Sequence, residues 1–302
     1  MIEAFLNPIL PVFALFGVGF LLGITGKYSV DEARGINRFA IQIAVPVLVF
    51  GILVRSKISE FDLHLMGNYF AVEVAIYLAV FLLARFLFVR PLGEAIVLGM
   101  AASFSNHVFY VLPIAVELYG PAAAGPIGAI ITVDAVFIFG ATVILMEFLT
   151  AEAPSRSALA GQIVKNPSLI AIALGAFVLT FSIPMHPGIL TFVQFTGAAA
   201  APACLFALGI ILAKSDAFKF DWFAGLLSVI SLVLVPALLF GANMVAGLDA
   251  KPAAWYYILV AAGPVGAMPF VIALRYGVET ATITKAIVYS TLASLFTLAW
   301  LA

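Results

Sequence analysis

A short polar stretch interrupts one of the most apolar regions of the chain, at Ser103-Phe-Ser-Asn-His-Val-Phe-Tyr-Val-Leu-Pro113. Asn106 is able both to donate and to accept hydrogen bonds, which suits a carboxylate ligand. Histidine titrates near neutral pH, so His107 is a candidate for coupling to protons. Polar groups at membrane depth are costly and usually functional. We therefore predict that both residues contact a solute. The alternatives are that Asn106 only caps a helix and that His107 stays neutral and bonds a neighbouring helix.

A second interruption, Ala262-Gly-Pro-Val-Gly-Ala-Met-Pro269, lies in a corresponding position, since Pro269 follows Pro113 by 156 residues. Proline lacks an N–H and frees carbonyl groups one turn upstream. Gly263 and Gly266 leave backbone uncovered, so a ligand has room to approach. Matched interruptions in two halves indicate the binding site of a secondary transporter. The alternative is a simple kink, since glycine and proline are common in membrane helices.

Two acidic residues fall inside apolar segments, Asp134 near the middle of its segment and Glu73 nearer to the predicted outer surface. A carboxylate in a membrane must pair, bind a cation or take up a proton. We therefore predict that these residues hold a coupling ion or proton, together with His107. A structural hydrogen bond to a neighbouring helix is the alternative. Glu147 and Arg275 are expected to be interfacial, because they lie close to helix ends.

The composition predicts an integral membrane protein. Of 302 residues, 65% are hydrophobic and 10% are charged, and the mean hydropathy is +1.20. These values lie far outside the range of soluble domains. The single cysteine offers neither a disulfide nor a zinc site. A net charge of −1 without a basic cluster gives no indication of nucleic-acid binding. No removable signal is evident at the N-terminus, and no cofactor is expected.

The apolar segments predict an all-α chain of about ten membrane spans, since each span needs about 20 residues. We expect a first five-helix repeat at residues 1–150, a cytoplasmic linker at 151–165 and a second repeat at 166–302. Lysine and arginine favour the cytoplasmic side. With both termini outside, eleven of these residues face inward and three outward. The inward residues are Lys27, Arg34, Arg38, Arg85, Arg90, Arg156, Lys165, Lys214, Lys219, Arg275 and Lys285, and the outward ones are Arg55, Lys57 and Lys251.

An internal repeat supports this division. Val45-Pro46-Val-Leu-Val-Phe50 aligns with Ala201-Pro202-Ala-Cys-Leu-Phe206 at the same shift of 156 residues. Because each half holds an odd number of spans, the second half enters the membrane from the opposite side. The repeat is therefore predicted to be inverted, and the two broken helices are predicted to cross near the bilayer midplane.

With these motifs the chain resembles a bacterial member of the auxin efflux carrier family, related to the plant PIN proteins. The resemblance rests on Pro46 and Pro202 with their neighbours, Asn106 with Pro113, Asn166-Pro167, and Ala267-Met-Pro269 followed by Arg275-Tyr-Gly277. It implies a 5+5 inverted repeat similar to the bile acid:sodium symporter fold, with crossover helices at Pro113 and Pro269. It further implies a homodimer, elevator-like movement, and substrates such as malate, malonate or auxin-like acids.

The sequence therefore predicts a secondary transporter of a small organic anion in the inner membrane, with H⁺ as coupling ion. A sodium-coupled symporter is the nearest alternative, because Asp, Asn and Thr oxygens suit Na⁺. A channel and a receptor are further alternatives. An intramembrane enzyme is disfavoured, since the chain has no His-Glu-x-x-His motif and Ser103 has no evident base.

Overall fold

The computed structural model describes residues 2–150, 164–214 and 219–301, and these residues are predominantly helical. The all-α class predicted from the sequence is confirmed. Most of the predicted linker, residues 151–163, lies outside the described residues. The helices are α1 (Ile2–Ile24), α2 (Val30–Arg55), α3 (Leu63–Leu87), α4 (Leu92–Ser103), α5 (His107–Tyr119), α6 (Pro121–Thr150), α7 (Pro167–Thr180), α8 (Pro187–Lys214), α9 (Trp222–Val245), α10 (Ala254–Ala261), α11 (Met268–Arg275) and α12 (Ala281–Leu301).

Several described helices match the dimensions of a bilayer. Helices α2, α3, α6, α8 and α9 contain 24 to 30 residues and are apolar enough to cross one. Helices α4, α5 and α7 are apolar but shorter. The chain is therefore a multi-pass membrane protein.

Polar side chains fix where several of these helices begin. Ser29 and Glu32 form a reciprocal capping box before α2. Asp62, Asn166 and Asp221 accept backbone N–H bonds at the starts of α3, α7 and α9. The first N–H groups of a helix have no partner within the helix, so each of these side chains satisfies groups that apolar surroundings would leave unpaired.

Three prolines are accommodated inside helices by a wider turn. A π-helical turn ends two residues before Pro46, Pro113 and Pro236. A proline ring clashes with the carbonyl four residues earlier, and in each case that carbonyl lies within the π turn. The wider turn therefore lets the helix continue through the proline.

The first interruption lies at the start of the predicted stretch Ser103–Pro113 rather than at the proline itself. Pro113 sits within α5, and the helix is broken upstream at residues 104–106. The wider π turn accommodates Pro113, which has no N–H, so the helix does not have to break there. Pro269 is different: it is the second residue of α11, directly after the irregular residues 262–267. Only this second proline begins a half-helix as the sequence predicts.

The described helices pack as two groups. In the first group, α1 packs along α8, and α2 packs against α7 and α8. In the second group, α4 packs against α3 and α11, while α9 packs against α3 and α12. Contacts between the groups are sparser. Two closely packed bodies therefore meet along an interface that includes α2.

Glycine lets α1 and α8 approach closely. A Cβ added at Gly209 would overlap the Phe16 backbone oxygen and lie 2.8 Å from the Phe20 backbone nitrogen. Gly19 faces the backbone of Phe206 in the same way. Because these contacts are to backbone, a side chain there has to push the helices apart.

We expect Gly209→Ala to lower the stability of the protein by about 1–3 kcal/mol, the usual cost of overpacking. Gly241→Ala is the matched control, since nothing lies within 4 Å of a Cβ at that helical glycine. Thermal unfolding in detergent checks the difference. Equal melting temperatures for the two variants would contradict the close packing of α1 on α8.

Candidate functional site

The two helix breaks lie against each other as a short antiparallel backbone pair. Ser105 pairs with Val265. The Asn106 N–H donates to the Pro264 carbonyl at 2.7 Å, and the Gly266 N–H donates to the Phe104 carbonyl at 2.9 Å. An apolar interior demands partners for backbone groups that leave a helix. Each break therefore supplies the partners that the other lacks.

Side chains satisfy further groups at the second break. Ser290 Oγ accepts from the Val265 N–H at 3.0 Å, and Ser231 Oγ donates to the Gly263 carbonyl at 3.0 Å. The sequence interpretation, in which free backbone dipoles bind the solute, is therefore wrong for these groups. They are used to join the two breaks.

The glycines of the second break serve the same contact. A Cβ at Gly266 would lie 3.0 Å from the carbonyl oxygens of Phe104 and Ser105, and one at Gly263 would lie 2.7 Å from a Val111 methyl group. Both positions are tighter than ordinary van der Waals contact. Glycine is thus required here for the approach of two protein segments.

A small cavity opens beside the breaks, at the interface between the two helix groups. Its volume is about 40 Å³, enough for water but not for a dicarboxylate. The residues lining it are Leu48, Val49 and Ile52 of α2; Phe104 to Phe109; Ile131, Ala135 and Phe139 of α6; and Gly266, Ala267 and Met268.

The structure brings together three of the six predicted substrate-binding residues at this cavity: Asn106, His107 and Gly266. Pro113, Gly263 and Pro269 are not among its lining residues. These three residues lie within the broken helices or the second break, away from the cavity. Sequence reasoning therefore identified the breaks but included residues that do not reach the cavity.

Asn106 presents an unused amide to the cavity. It precedes α5 but makes no side-chain capping bond. Its side chain has no hydrogen-bond partner in the described part of the chain, although it is 6% exposed. The capping alternative is therefore excluded, and the amide is available to a ligand in the cavity.

His107 and Asp134 form a buried pair next to Asn106. Nδ1 of His107 lies 2.7 Å from the Ser105 carbonyl oxygen, which only accepts, so Nδ1 carries a proton. Nε2 lies 3.0 Å from Oδ2 of Asp134. The two atoms are close enough for an ion pair but are not aligned as a hydrogen bond. His107 and Asp134 are therefore electrostatic partners inside the protein.

Two residues of α3 complete this acidic cluster. The Tyr69 hydroxyl donates to Asp134 Oδ2 at 3.2 Å. Glu73 is 1% exposed and close enough to Asp134 for their charges to interact. Glu73 is therefore buried within the protein where α3 approaches α6, and its position nearer to the outer surface stays a prediction. Asp134 and Glu73 do not line the cavity; His107 connects them to it.

A second polar network was missed from the sequence. Glu147 Oε1 accepts from Asn166 Nδ2 at 2.6 Å, from the Tyr276 hydroxyl at 2.8 Å and from Arg275 at 3.3 Å. Glu147 is 8% exposed, so it is buried within the protein, and its position near the membrane interface stays a prediction. Four polar residues near the ends of α6, α7 and α11 satisfy one another, and their convergence was not visible in the spacing along the chain.

Comparisons with known proteins agree with the geometry. A family model described as "Membrane transport protein" matches residues 4–159 and 157–301. A protein of Rhizobium meliloti (strain 1021), described as "Putative malonate transporter", is 26% identical over 311 residues, covering 96% of this chain and 92% of that protein. These descriptions are those of transporters rather than enzymes.

A solved structure shares the fold. The sodium proton antiporter MjNhaP1 from Methanocaldococcus jannaschii, determined at pH 8, superposes with a TM-score of 0.67 at 14% identity. The match covers 96% of this chain and 90% of that one. At this identity the similarity describes the fold alone.

We expect Asp134→Leu to destabilise the protein by about 1–3 kcal/mol, because it leaves the buried His107 and Tyr69 without their partner. In the Asp134→Leu variant, a further His107→Leu substitution should lower the free energy of unfolding by less than it does in the parent protein, because the pair is already broken. Thermal unfolding of the two single variants and the double variant gives the coupling energy.

Asp134→Leu combined with Thr142→Val is the matched control. Thr142 lies eight residues further along α6, about 12 Å away, so the two effects should add. Additive effects of the His107 and Asp134 substitutions would contradict the interaction between these two side chains.

Proposed function

We propose, from the premise that the chain belongs to the membrane transport protein family of auxin efflux carriers, that it moves a small dicarboxylate such as malonate by alternating access. The family supports transport as the activity. The substrate class is supported by the sequence resemblance and by the description of the Rhizobium relative. In the proposed cycle neither ATP nor a redox cofactor takes part.

One observation carries the proposal: the unused amide of Asn106 lies in a cavity where two broken helices meet. The amide makes no hydrogen bond within the described residues and is not among their buried unpaired atoms, so it is open to the cavity. A carboxylate in the cavity would accept from the Asn106 amino group. His107, adjacent in the chain, would add a charge-assisted bond when its ring is protonated.

The arrangement of helices supports an inverted repeat of ten spans. We propose that α4 with α5 forms one span and that α10 with α11 forms another, each broken near the bilayer midplane. The remaining helices then form four spans in each half, separated by the 151–165 linker. With five spans per half, both termini lie outside the inner membrane and the linker lies in the cytoplasm.

The two helix groups support elevator-like movement. The cavity lies between α2 of the first group and the breaks of the second. In our proposal α1, α2, α7 and α8 are a fixed scaffold that forms the homodimer, and the second group carries the solute across it. Because the cavity is too small for malonate, we assign the structure to a closed state, and substrate entry requires the groups to separate.

The close approach of His107 and Asp134, next to Asn106, supports proton coupling. A negatively charged solute beside Asn106 is repelled by an ionised Asp134 and attracted by an imidazolium. A proton taken up on Asp134 or Glu73 would cancel the repulsion and leave His107 charged toward the solute. Protonation and anion binding would therefore favour each other.

A sodium-coupled cycle is the second candidate, and a specific observation favours it. Both carboxyl oxygens of Glu73 and Oδ1 of Asp134 are buried without a hydrogen-bond partner among the described residues. Oxygen ligands of this kind suit a hard cation such as Na⁺. Sodium would then take the place that we assign to the proton.

Asn106→Ala should abolish the stabilisation of the purified protein by malonate, because it removes the donor amide from the cavity. The measurement is a thermal-shift titration with malonate against chloride at equal ionic strength. Gln194→Ala, which removes an amide on α8 away from the cavity, should bind like the parent. Retention of the malonate shift in Asn106→Ala would refute the assigned site.

Asp134→Asn should make malonate uptake into proteoliposomes independent of the pH gradient, because the amide does not accept the coupling proton. The parent should take up malonate faster when the outside is acidic. Asp62→Asn removes a carboxylate paired with Lys251 in the loops and should keep the pH response. Uptake by the parent that follows a sodium gradient and ignores pH would favour the second candidate.

A further inference from the structure

A larger cavity lies at another contact between the two helix groups, and it shares no lining residue with the cavity at the helix breaks. Its volume is about 670 Å³, within the range of ligand pockets. The polar and charged residues that line it are Arg34, Asn37, Arg38, Gln42, Lys165 and Arg275. They come from the first part of α2, from the residues before α7 and from the end of α11, so the cavity spans both groups.

The cavity carries an excess of positive charge. Four cationic side chains line it, and no carboxylate does so among the described residues. Arg34 pairs with Asp31 at 3.1 Å, and Arg275 pairs with Glu147 at 3.3 Å. For Arg38 and Lys165 the described part of the chain offers no carboxylate within 4 Å. Two positive charges therefore face the cavity unmatched.

A buried amide adds a second, independent observation. Asn37 lines the cavity, is 2% exposed, and its Oδ1 has no hydrogen-bond partner in the described residues. The sealed atom of this amide is Oδ1, whereas Nδ2 is not among the buried unpaired atoms and makes no hydrogen bond within the described residues. The amino group is therefore the part of the amide that is open to the cavity, where it is able to donate to an anion.

We propose that this cavity binds a small soluble dianion through Arg38, Lys165 and Asn37. Two unmatched cations neutralise two negative charges, and arginine offers a fork of donors that fits a carboxylate or a phosphate. The site is separate from the one at Asn106 and lies at the same interface between the groups. If the proposed function holds, the transported dicarboxylate is its natural occupant, and the site holds it before or after passage.

The test uses inorganic phosphate as a dianion that need not be transported. Isothermal titration calorimetry of the purified protein should show binding of phosphate and of malonate. Arg38→Gln with Lys165→Gln should weaken phosphate binding by about tenfold or more, as expected for the loss of two charged hydrogen-bond donors. Lys214→Gln removes a cation from the end of α8, outside the cavity, and should leave phosphate binding unchanged.

Further measurements distinguish this site from the proposed transport site and from a lipid-binding site. The Asn106→Ala variant should still bind phosphate. If this variant does not bind phosphate, the phosphate site is at the helix breaks and the proposed second site does not exist. That result would leave the proposed function standing. Phosphate binding by a protein that fails to transport malonate would support the cavity and refute the function. Stabilisation by phosphatidylglycerol nanodiscs, with no response to soluble anions, would assign the cavity to a lipid head group and contradict the proposal.

Discussion

The backbone pairing between residues 104–106 and 264–266 is the interaction on which the rest of the structure depends. A helix that stops inside an apolar region leaves N–H and carbonyl groups that hydrocarbon does not satisfy. Here each broken helix satisfies the other through two backbone bonds, and Ser231 and Ser290 complete the set. The glycines allow this approach. Because the backbone is satisfied within the protein, recognition of a solute falls to side chains, chiefly Asn106.

The buried charged residues next to the breaks, His107 and Asp134, also find their partners within the protein. His107 and Asp134 are almost fully buried, and an isolated ion at this depth would be very costly. The close approach of the two side chains offsets part of this cost, and Tyr69 donates to the same carboxylate. A change in the charge of this pair would change the potential in the adjacent cavity. This is the physical link between protonation and anion binding in the proposed cycle.

Much of the architecture is predictable from local signals, and the rest depends on contacts between distant residues. The lengths of the apolar segments indicate the helices, and the matched Pro113 and Pro269 indicate that two of them are interrupted. The break at 104–106 lies within the predicted interruption Ser103–Pro113, but its exact position does not follow from Pro113, because a π turn accommodates that proline. The transporter family is confirmed by the comparisons. By contrast, two features depend on tertiary packing that spacing along the chain does not reveal. These are the pairing of Asp134 with His107 and the convergence of cations from α2, from the residues before α7 and from α11 on one cavity.

The central claim is that a dicarboxylate docks between Asn106 and α2, where the two helix groups meet. Electron cryomicroscopy of the protein in nanodiscs with saturating malonate tests this most directly. We predict density for the ligand within hydrogen-bond distance of the Asn106 amide, together with separation of α2 from the helix breaks. Ligand density found only elsewhere, with the cavity at the breaks still closed, would contradict the account.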